Sequence, residues 1–424
     1  MGGARGLWQP RIMSAASRSW SAPGVGRRLA RQAGTTAQVL LSPALLHLAL
    51  VTVAGSLPQR EQPRRSQDTG GLRFTVLVPA HDEEQDLPAT LASLARADQP
   101  GGGLDIIVIA DHCADGTAQV ARDGGVKVWE RYDQGQRGKG GALRWALDQL
   151  FAEPLPTDAV AVVDADTTVD ADFFPRAERL LLAGASVVQG RYLASSVTEP
   201  TVVSRLAEVS SACQSVLRQR GRGRLGGAAK LQGNGMVFRR EVLQQVPWDA
   251  YGVAEDVGYW FRLLRAGVHP VAEPSAGVAG RMPTTPSAAA VQRARWEAGR
   301  VEVAREHARP GLLQAFRTRD AVLAEAVMAE LIFPPLSMLA AGVAVAGAVS
   351  IAAAPFGGRR AASTVTVAQA ALVTAHVLAG LRAAGAGRRV YGALLTAPAV
   401  IAWKVALKLR TALRPDSGWH RSPR

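Results

Sequence analysis

The sequence predicts an α/β fold: a mostly parallel sheet with flanking helices, followed by long apolar helices. Three observations carry this expectation. Between Leu72 and about Val278, short β-branched runs alternate with helix-like segments, the pattern of parallel strands joined by crossover helices. The runs end in polar loops rich in carboxylates, where ligands bind in such sheets. Beyond the Gln292 to Trp296 segment the composition turns apolar and small.

Composition limits the function classes. The 424 residues, 48% of them AVILMFWYC and 20% charged, allow two or three domains and exclude a wholly disordered chain. Membrane contact is expected from this apolar balance. Two cysteines, Cys113 and Cys213, exclude a disulfide framework, and neither lies in a CxxC or Cys/His cluster suited to zinc. The formal net charge of +14 is compatible with nucleic acid, anionic lipid or a phosphorylated substrate. Much of the excess sits outside the core candidate, in Arg5, Arg11, Arg18, Arg27, Arg28 and Arg31 and in the tail from Lys404 to Arg424. With no basic helix interleaved with aromatics, no helix-turn-helix spacing and no zinc finger, no nucleic-acid partner is expected.

In chain order, residues 1–36 are rich in Arg, Gly and Ser without periodicity and read as a disordered basic N-terminus, with Met13 an alternative start. Residues 37–57 carry no formal charge and are long enough for one bilayer crossing. The Arg-rich lead and the small residues near Ala54 and Gly55 also fit a signal peptide. Residues 58–71 form a polar linker, and residues 72–310 are the catalytic-domain candidate. Its strands are expected at Phe74 to Val78, Asp105 to Ile109, Val126 to Val128 and Ala159 to Val163. Asp86, followed by Leu87 and Pro88, reads as an N-cap opening a helix to about Arg96. Within residues 311–410, runs at about 326–354 and 361–381 are long enough to cross. A third, from Val390 to Leu409, carries Lys404 and Lys408 and reads equally as an interfacial helix or a span. Glu325 and Glu330 suggest a surface helix before the first of these runs. Residues 411–424 are a basic tail.

The chemistry-bearing residues lie at the strand ends. The first strand runs into Pro79 to Glu84 (PAHDEE), the second into Ala110 to Thr117 (ADHCADGT), the fourth into Val163 to Asp166 (VDAD). A carboxylate accepts hydrogen bonds from a base or ribose, and two separated by one residue can share a hard divalent cation with phosphate oxygens. Taken singly, Asp-x-Asp is a weak signal, more often a turn than a metal site, and Asp111 and Asp115 read also as an Asx turn or a helix cap. Gly135 to Gly141 (GQRGKGG) places Lys139 in a glycine-rich loop before a helix, which suits phosphate. It has neither GK[ST] nor GxGxxG behind the first strand, which excludes simple P-loop and dehydrogenase readings. Further on, a Gly-Asn-Gly turn at 233–235 permits close approach to a sugar. An Asp such as Asp256 can deprotonate a hydroxyl, and an Arg beside a Trp can grip phosphate and stack on a pyranose. Asp256 alone is equally a surface helix N-terminus, and Trp296 alone an interfacial belt residue.

With these motifs in order, the segment from about Arg73 to Arg300 resembles the family-2 glycosyltransferases of GT-A fold. Within them it is similar to the membrane-embedded branch of cellulose, chitin, hyaluronan and poly-N-acetylglucosamine synthases. The resemblance implies inverting transfer of a sugar from a nucleotide-diphosphate donor to a growing polysaccharide, an exopolysaccharide or cell-surface glycan. It implies a donor site of Asp82, Glu84, Asp111 at the nucleobase, Lys139 near the diphosphate, and Asp164. Asp164 and Asp166 match the DxD that carries Mg2+ or Mn2+, and Asp256 of the Glu255-Asp256 pair matches the general base. Gly233, Asn234, Glu255 and the QxxRW residues Gln292, Arg295 and Trp296 are implied beside the diphosphate and the acceptor. The metal and Arg295 would then stabilise the leaving diphosphate. Two departures stand out: Asp82 occupies a position where Asn is more usual, and Ala-Asp-His-Cys replaces a paired Asp with Ser. Two alternatives remain open: single-sugar transfer to a lipid-linked acceptor, and a catalytically silent membrane partner of a polysaccharide secretion complex.

The implied partners are a nucleotide-diphosphate sugar, a glycan or lipid-linked acceptor, and membrane lipids. Nucleotide sugars are cytosolic, so a multi-pass protein of the plasma membrane with a cytoplasmic catalytic domain is expected. One span at 37–57 would then leave the Arg-rich N-terminus outside, against the positive-inside tendency. Arg60, Arg64, Arg65 and Arg73 on the other flank partly offset this.

Overall fold

A computed structural model describes residues 23–58, 71–133, 135–153, 155–195, 201–281, 285–354 and 359–413. The chain enters through helix α1 (Pro23–Ser56) and then builds an eight-stranded sheet. β1 (Phe74–Ala80), β2 (Leu104–Asp111), β3 (Lys127–Arg131) and β4 (Ala159–Val162) are its parallel half, with β1 between β2 and β4. Between them run α2 (Leu87–Arg96), α3 (Thr117–Asp123) and α4 (Lys139–Ala152). Because both faces of β1 and β4 are covered, their side chains are buried almost without alternation.

The sheet continues through β5 (Thr167–Val169), α5 (Phe173–Leu182), β6 (Val187–Ser195), α6 (Val202–Ser211), a π-helical turn (Ala212–Arg218) and α7 (Gln219–Arg224). β7 (Met236–Arg239), α8 (Arg240–Gln245), α9 (Glu255–Arg265) and β8 (Val271–Arg281) complete it. The strand order is β3-β2-β1-β4-β7-β6-β8-β5, with β7 antiparallel to β4 and β6, and β5 antiparallel to β8. One face packs Leu87, Leu91, Phe173 and Phe174 from α2 and α5. The other packs Leu143 and Leu147 of α4 against Trp248, Tyr259 and Trp260. The Trp248 and Tyr259 rings lie 4.3 Å apart, and the Tyr259 hydroxyl donates to the Val246 carbonyl at 2.6 Å. Aromatic residues buried this way each hold the core by about 3–5 kcal/mol against truncation, which fixes α9 firmly on the sheet.

After the sheet come α10 (Pro286–Thr318), α11 (Ala321–Val327), a second π-helical turn (Met328–Ile332), α12 (Leu336–Ala353), α13 (Arg359–Ala383), α14 (Arg388–Ala393) and α15 (Ala397–Leu413). Among the described residues, three helical segments are long and apolar enough to cross a membrane: 26–56, 336–353 and 359–383. Their contacts set their directions. Gln38 donates to Thr366 at 3.0 Å and Thr52 meets His376 at 2.7 Å, so α1 and α13 run parallel. Leu48 packs with Leu339 while Gly34 abuts Ser350, so α12 runs antiparallel to both. The end of α1, the start of α12 and the end of α13 therefore share one side, the side of the sheet domain.

A buried ion network joins bundle and sheet. His47 meets Glu325 at 2.8 Å, Glu325 takes Arg222 at 2.7 Å, and Arg222 reaches Glu330 at 3.1 Å. Glu330 also takes Lys230 at 2.9 Å and lies 3.6 Å from Arg218. Burial pushes the Glu330 carboxyl up, but Lys230, Arg218 and Arg222 together hold it well below the usual carboxylate range. Arg224 donates to the carbonyls of Ala54 and Leu57 at 2.7 and 2.8 Å, satisfying orphan groups at the end of α1.

Several expectations are corrected. The disordered N-terminus of 1–36 is too long: α1 starts at Pro23, because the apolar helix it leads into propagates back through Arg27, Arg28 and Arg31. Residues 1–22 of that segment, 59–70 of the linker and 414–424 of the tail lie outside the described residues. The boundary at 310 falls inside α10, a continuous helix with Pro310 in its interior. The run at 326–354 is divided near Pro334 and Pro335, and Glu330 is buried among cations instead of lying on a surface helix. Asp86 does precede α2, yet its side chain makes no cap and pairs with Arg281.

Candidate active site

The loops after β1 and β2 are laced together by carboxylates. Asp82 accepts from the Ala114 amide at 2.7 Å, and Glu84 accepts from the Gly116 amide at 2.8 Å. Asp115 accepts from the Thr117 amide at 2.9 Å, an Asx turn, and from the Glu84 amide at 3.2 Å. Asp82 and His112 both hold positive φ, 53° and 52°, a conformation uncommon outside glycine and tolerated best by Asn, Asp and His. Asp111 is buried; it accepts from Arg131 at 2.9 Å and pairs with His112 at 2.8 Å. Arg131, itself buried, also reaches Asp133 at 2.9 Å and the Gln136 carbonyl at 2.8 Å. Thus Asp111 is fastened to the glycine-rich loop that precedes Lys139.

Asp82, Cys113 and Asp115 bring one ligand atom each within 4.8 Å of one another. The Asp oxygens there serve the turn hydrogen bonds, and burial pushes the Cys113 thiol up, away from the thiolate that binds metals. We read this cluster as the brace of the two loops.

Lys139 is the centre of the second group. Gly138, with φ of 89°, turns the chain into α4, and Lys139 is the first helical residue. A Cβ on Gly141 would sit 1.7 Å from the Gln136 carbonyl oxygen, and one on Gly140 2.2 Å from that of Ala250. These glycines therefore serve close packing of the first turn of α4. The Lys139 ammonium donates to Asp164 and to the Gly233 carbonyl. A Cβ on Gly233 would lie 3.4 Å from Asp256 Oδ2 and 3.5 Å from Lys139 Nζ, so Gly233 sits between the Asp256 carboxylate and the Lys139 ammonium. Asn234, buried, accepts from the Asp164 amide at 3.2 Å and donates to Thr167 at 2.8 Å. It locks the loop after β4 to the Gly-Asn-Gly turn before β7.

Electrostatics bind these residues into one unit. Burial opposes the charge on Lys139, but Asp164, Glu255 and Asp256 outweigh it and raise its pKa. Burial pushes the Glu255 carboxyl up to about 7, with the Asp256 charge adding to the effect. Burial also raises Asp256, while Lys230 and Lys139 pull it back. Tyr192 on β6 lies beside this group: burial and the charges of Asp164 and Asp166 push its hydroxyl upward, and it hydrogen-bonds Asn234. Tyr192, Lys230 and Arg131 belong to no motif, and nothing in the β6 sequence (VVQGRYLAS) points to Tyr192.

Glu255 favours the fold while protonated. That contribution is present below its ordinary value of 4.5 and is lost as pH rises to and through about 7. Thermal unfolding of wild type between pH 5 and 8 is therefore expected to drop with rising pH more steeply than that of Glu255→Gln; parallel curves would contradict the assignment.

Gln292, Arg295 and Trp296 lie on α10, which docks on the segment entering α9: a Cβ on Gly299 would meet Ala254 at 3.0 Å. Arg295 Nε is buried with no hydrogen-bond partner among the described residues. Trp296 is 40% exposed, with the Arg293 guanidinium 5.8 Å from its ring centroid. The structure thus gathers Lys139, Asp164, Gly233, Asn234, Glu255 and Asp256 directly, with Asp166 near enough to act on Tyr192 beside them. Asp82, Glu84 and Asp111 lie in the adjoining loops at the strand ends, and the QxxRW turn lies one helical turn from the α9 approach.

A divalent cation fits this donor set. Asp164, Glu255 and Asp256 act on Lys139, and Asp164 and Asp166 both act on Tyr192, so carboxylates outnumber cations here and the donors are all oxygens, the chemistry of Mg2+ and Mn2+. Asp166 and Asp164 are the residues that would hold it.

Comparison with known proteins bears on the family and the fold. The family model described as "Glycosyltransferase like family 2" matches residues 72–299. The probable glycosyltransferase YdaM of Bacillus subtilis is 28% identical over 242 residues, covering 54% of this chain and 55% of that protein. A beta-monoglucosyldiacylglycerol synthase of Trichormus variabilis is 28% identical over 247 residues, covering 54% and 51%. The chain therefore spans about half the length of the curated relatives it matches. Among solved structures, the mannosyltransferase PcManGT from Pyrobaculum calidifontis, in complex with GDP-Man and Mn2+, superposes with a TM-score of 0.53 at 16% identity. That match covers 82% of this chain and 98% of the other, and shows the GT-A-like fold. With more than half of its length matched, the chain belongs to the family described as glycosyltransferase like family 2.

Proposed function

We propose that the protein transfers a single hexose, with inversion, from a nucleoside-diphosphate sugar to a hydroxyl of a membrane-lipid acceptor. The observation that carries the chemistry is Asp256 beside Gly233 and Lys139: a half-buried carboxylate of raised pKa next to a cation. Asp256 takes the acceptor proton as the acceptor oxygen forms its bond to the anomeric carbon. The bond from that carbon to the diphosphate oxygen breaks, and the diphosphate leaves with the electron pair. Lys139 and the unpartnered guanidinium nitrogen of Arg295 supply positive charge toward that leaving group. A bound Mg2+ or Mn2+ would add Lewis-acid stabilisation of the diphosphate. Asp111, Asp82 and Glu84 shape the neighbouring loops where the nucleotide base would rest.

A lipid acceptor is favoured over a polymer by two facts. Among the described residues only three helical segments are long and apolar enough to span, few to enclose a hydrated polysaccharide. One relative is named for a glucolipid product. The polymer reading rests on the QxxRW resemblance alone. In this reading the catalytic domain faces the cytosol from the plasma membrane, because nucleotide sugars are cytosolic.

Purified full-length protein in lipid nanodiscs, screened against nucleotide sugars with diacylglycerol present, is expected to release nucleotide and yield one glycolipid of single addition. A ladder of products would favour the polymer, and failure to turn over any donor would favour a silent partner. In the same assay Asp166→Ala is expected to abolish the dependence of nucleotide affinity on Mg2+ or Mn2+ and to lower turnover at least about a hundredfold. Unchanged affinity with and without metal in both proteins would refute the Asp166 role.

A further inference from the structure

A cavity of about 50 Å³ lies outside the active site, where the bundle meets the sheet domain. Its walls come from α1, the first π-helical turn, the second π-helical turn with Phe333 and Pro334, α12 and α13. His47 and Leu48 belong to the last third of α1, Leu336 and Leu339 to the start of α12, and His376 to the end of α13. All lie on the sheet-domain side, the level at which lipid headgroups meet a spanning bundle.

The polar groups in this cavity are built and incomplete. His376 is fully buried. The single hydroxyl hydrogen of Thr52 goes to the Leu48 carbonyl, so Thr52 Oγ1 accepts from His376 Nδ1–H. His376 Nε2 is then an acceptor, and it has no hydrogen-bond partner among the described residues. Arg218 donates to Gln214 at 2.9 Å, while its Nε is buried without a partner among the described residues. Its nearest carboxylate, Glu330 at 3.6 Å, already holds Lys230 and Arg222 more closely. In this network Arg218, Arg222 and Lys230 face two carboxylates, Glu325 and Glu330, which leaves one positive charge in excess.

We infer that this cavity binds the headgroup of a membrane lipid carrying both a phosphate and a free hydroxyl. The phosphate meets Arg218, and the hydroxyl donates to His376 Nε2. The cavity has room for a few heavy atoms, since one water needs about 10–15 Å³, so it takes the hydroxyl end of a headgroup and one edge of its phosphate and leaves the rest of the lipid outside. Those chains have the exposed apolar surface of the bundle, including Leu46 and Val345, to lie against. The site stands whether or not the sugar acceptor is a lipid, and its test needs no turnover.

The full chain in phosphatidylcholine nanodiscs would be offered phosphatidylglycerol, phosphatidic acid, diacylglycerol or inorganic phosphate, with retention read by native mass spectrometry. Phosphatidylglycerol, which has both groups, is expected to be retained most strongly. Arg218→Gln and His376→Phe are each expected to weaken it about tenfold. Ser210→Glu, which sets a carboxylate on the half-buried rim without removing a buried group, should do the same if either of the first two fails to fold. Equal retention of the three lipids, or wild-type retention in the folded variants, would overturn the site. Inorganic phosphate competing as well as phosphatidylglycerol would overturn the lipid.

Discussion

Asp256→Asn is expected to lower transfer about a thousandfold or more while leaving nucleotide affinity within about twofold. A positioned general base contributes about 10²–10⁴, and an amide cannot accept the acceptor proton. Asn keeps the shape, so the start of α9 and the contact with Gly233 persist. The loss should fall on turnover at saturating donor, because the proton moves only as the acceptor attacks. The check is initial-rate transfer alongside calorimetric titration of nucleotide. Near-normal turnover would remove Asp256 from the base role, and a parallel loss of nucleotide binding would make it a structural residue.

The second large effect is on stability. Glu330→Ala is expected to destabilise the folded protein by about 3–5 kcal/mol, because removing one member of a buried ion cluster leaves uncompensated charge behind. Here the residues stranded are Arg222 and Lys230, at 3.1 and 2.9 Å, with Arg218 close by. Arg222 would keep Glu325, so Lys230 is the most exposed to the loss. Lys230 also pulls the Asp256 pKa down. The substitution therefore has a second readout, a changed pH dependence of transfer in whatever fraction stays folded. Thermal unfolding of full-length protein should move down by several degrees, and Lys230→Met in the same chain should restore part of it. An unchanged midpoint would show that the network contributes nothing net.

Much of the sheet was legible because periodicity and turn chemistry are local. The runs at 74–78, 105–109 and 159–163 coincide with β1, β2 and β4, and the helix expected after Asp86 is α2. The motif residues were legible as types at positions, since carboxylates at strand ends are visible in the primary chain. Their division of labour was not. Asp82 and Glu84 brace two loops, and Asp111 is buried under Arg131, whereas Asp164 faces Lys139. No spacing rule distinguishes a carboxylate that closes a turn from one that faces a cleft. Tyr192, Arg131 and Lys230 reach their places from single strands and loops without any motif.

By itself the sequence determined the fold class and the family, because alternating hydrophobic runs and ordered polar motifs are encoded position by position. Only the tertiary structure decided that α1 begins at Pro23, that α1 and α13 run parallel with α12 reversed, and that Glu330 is a buried anion held by Arg222 and Lys230 where the bundle meets the sheet domain. Those outcomes depend on which charges and surfaces meet across more than a hundred residues of chain, through desolvation and pairing that act over ångströms in space.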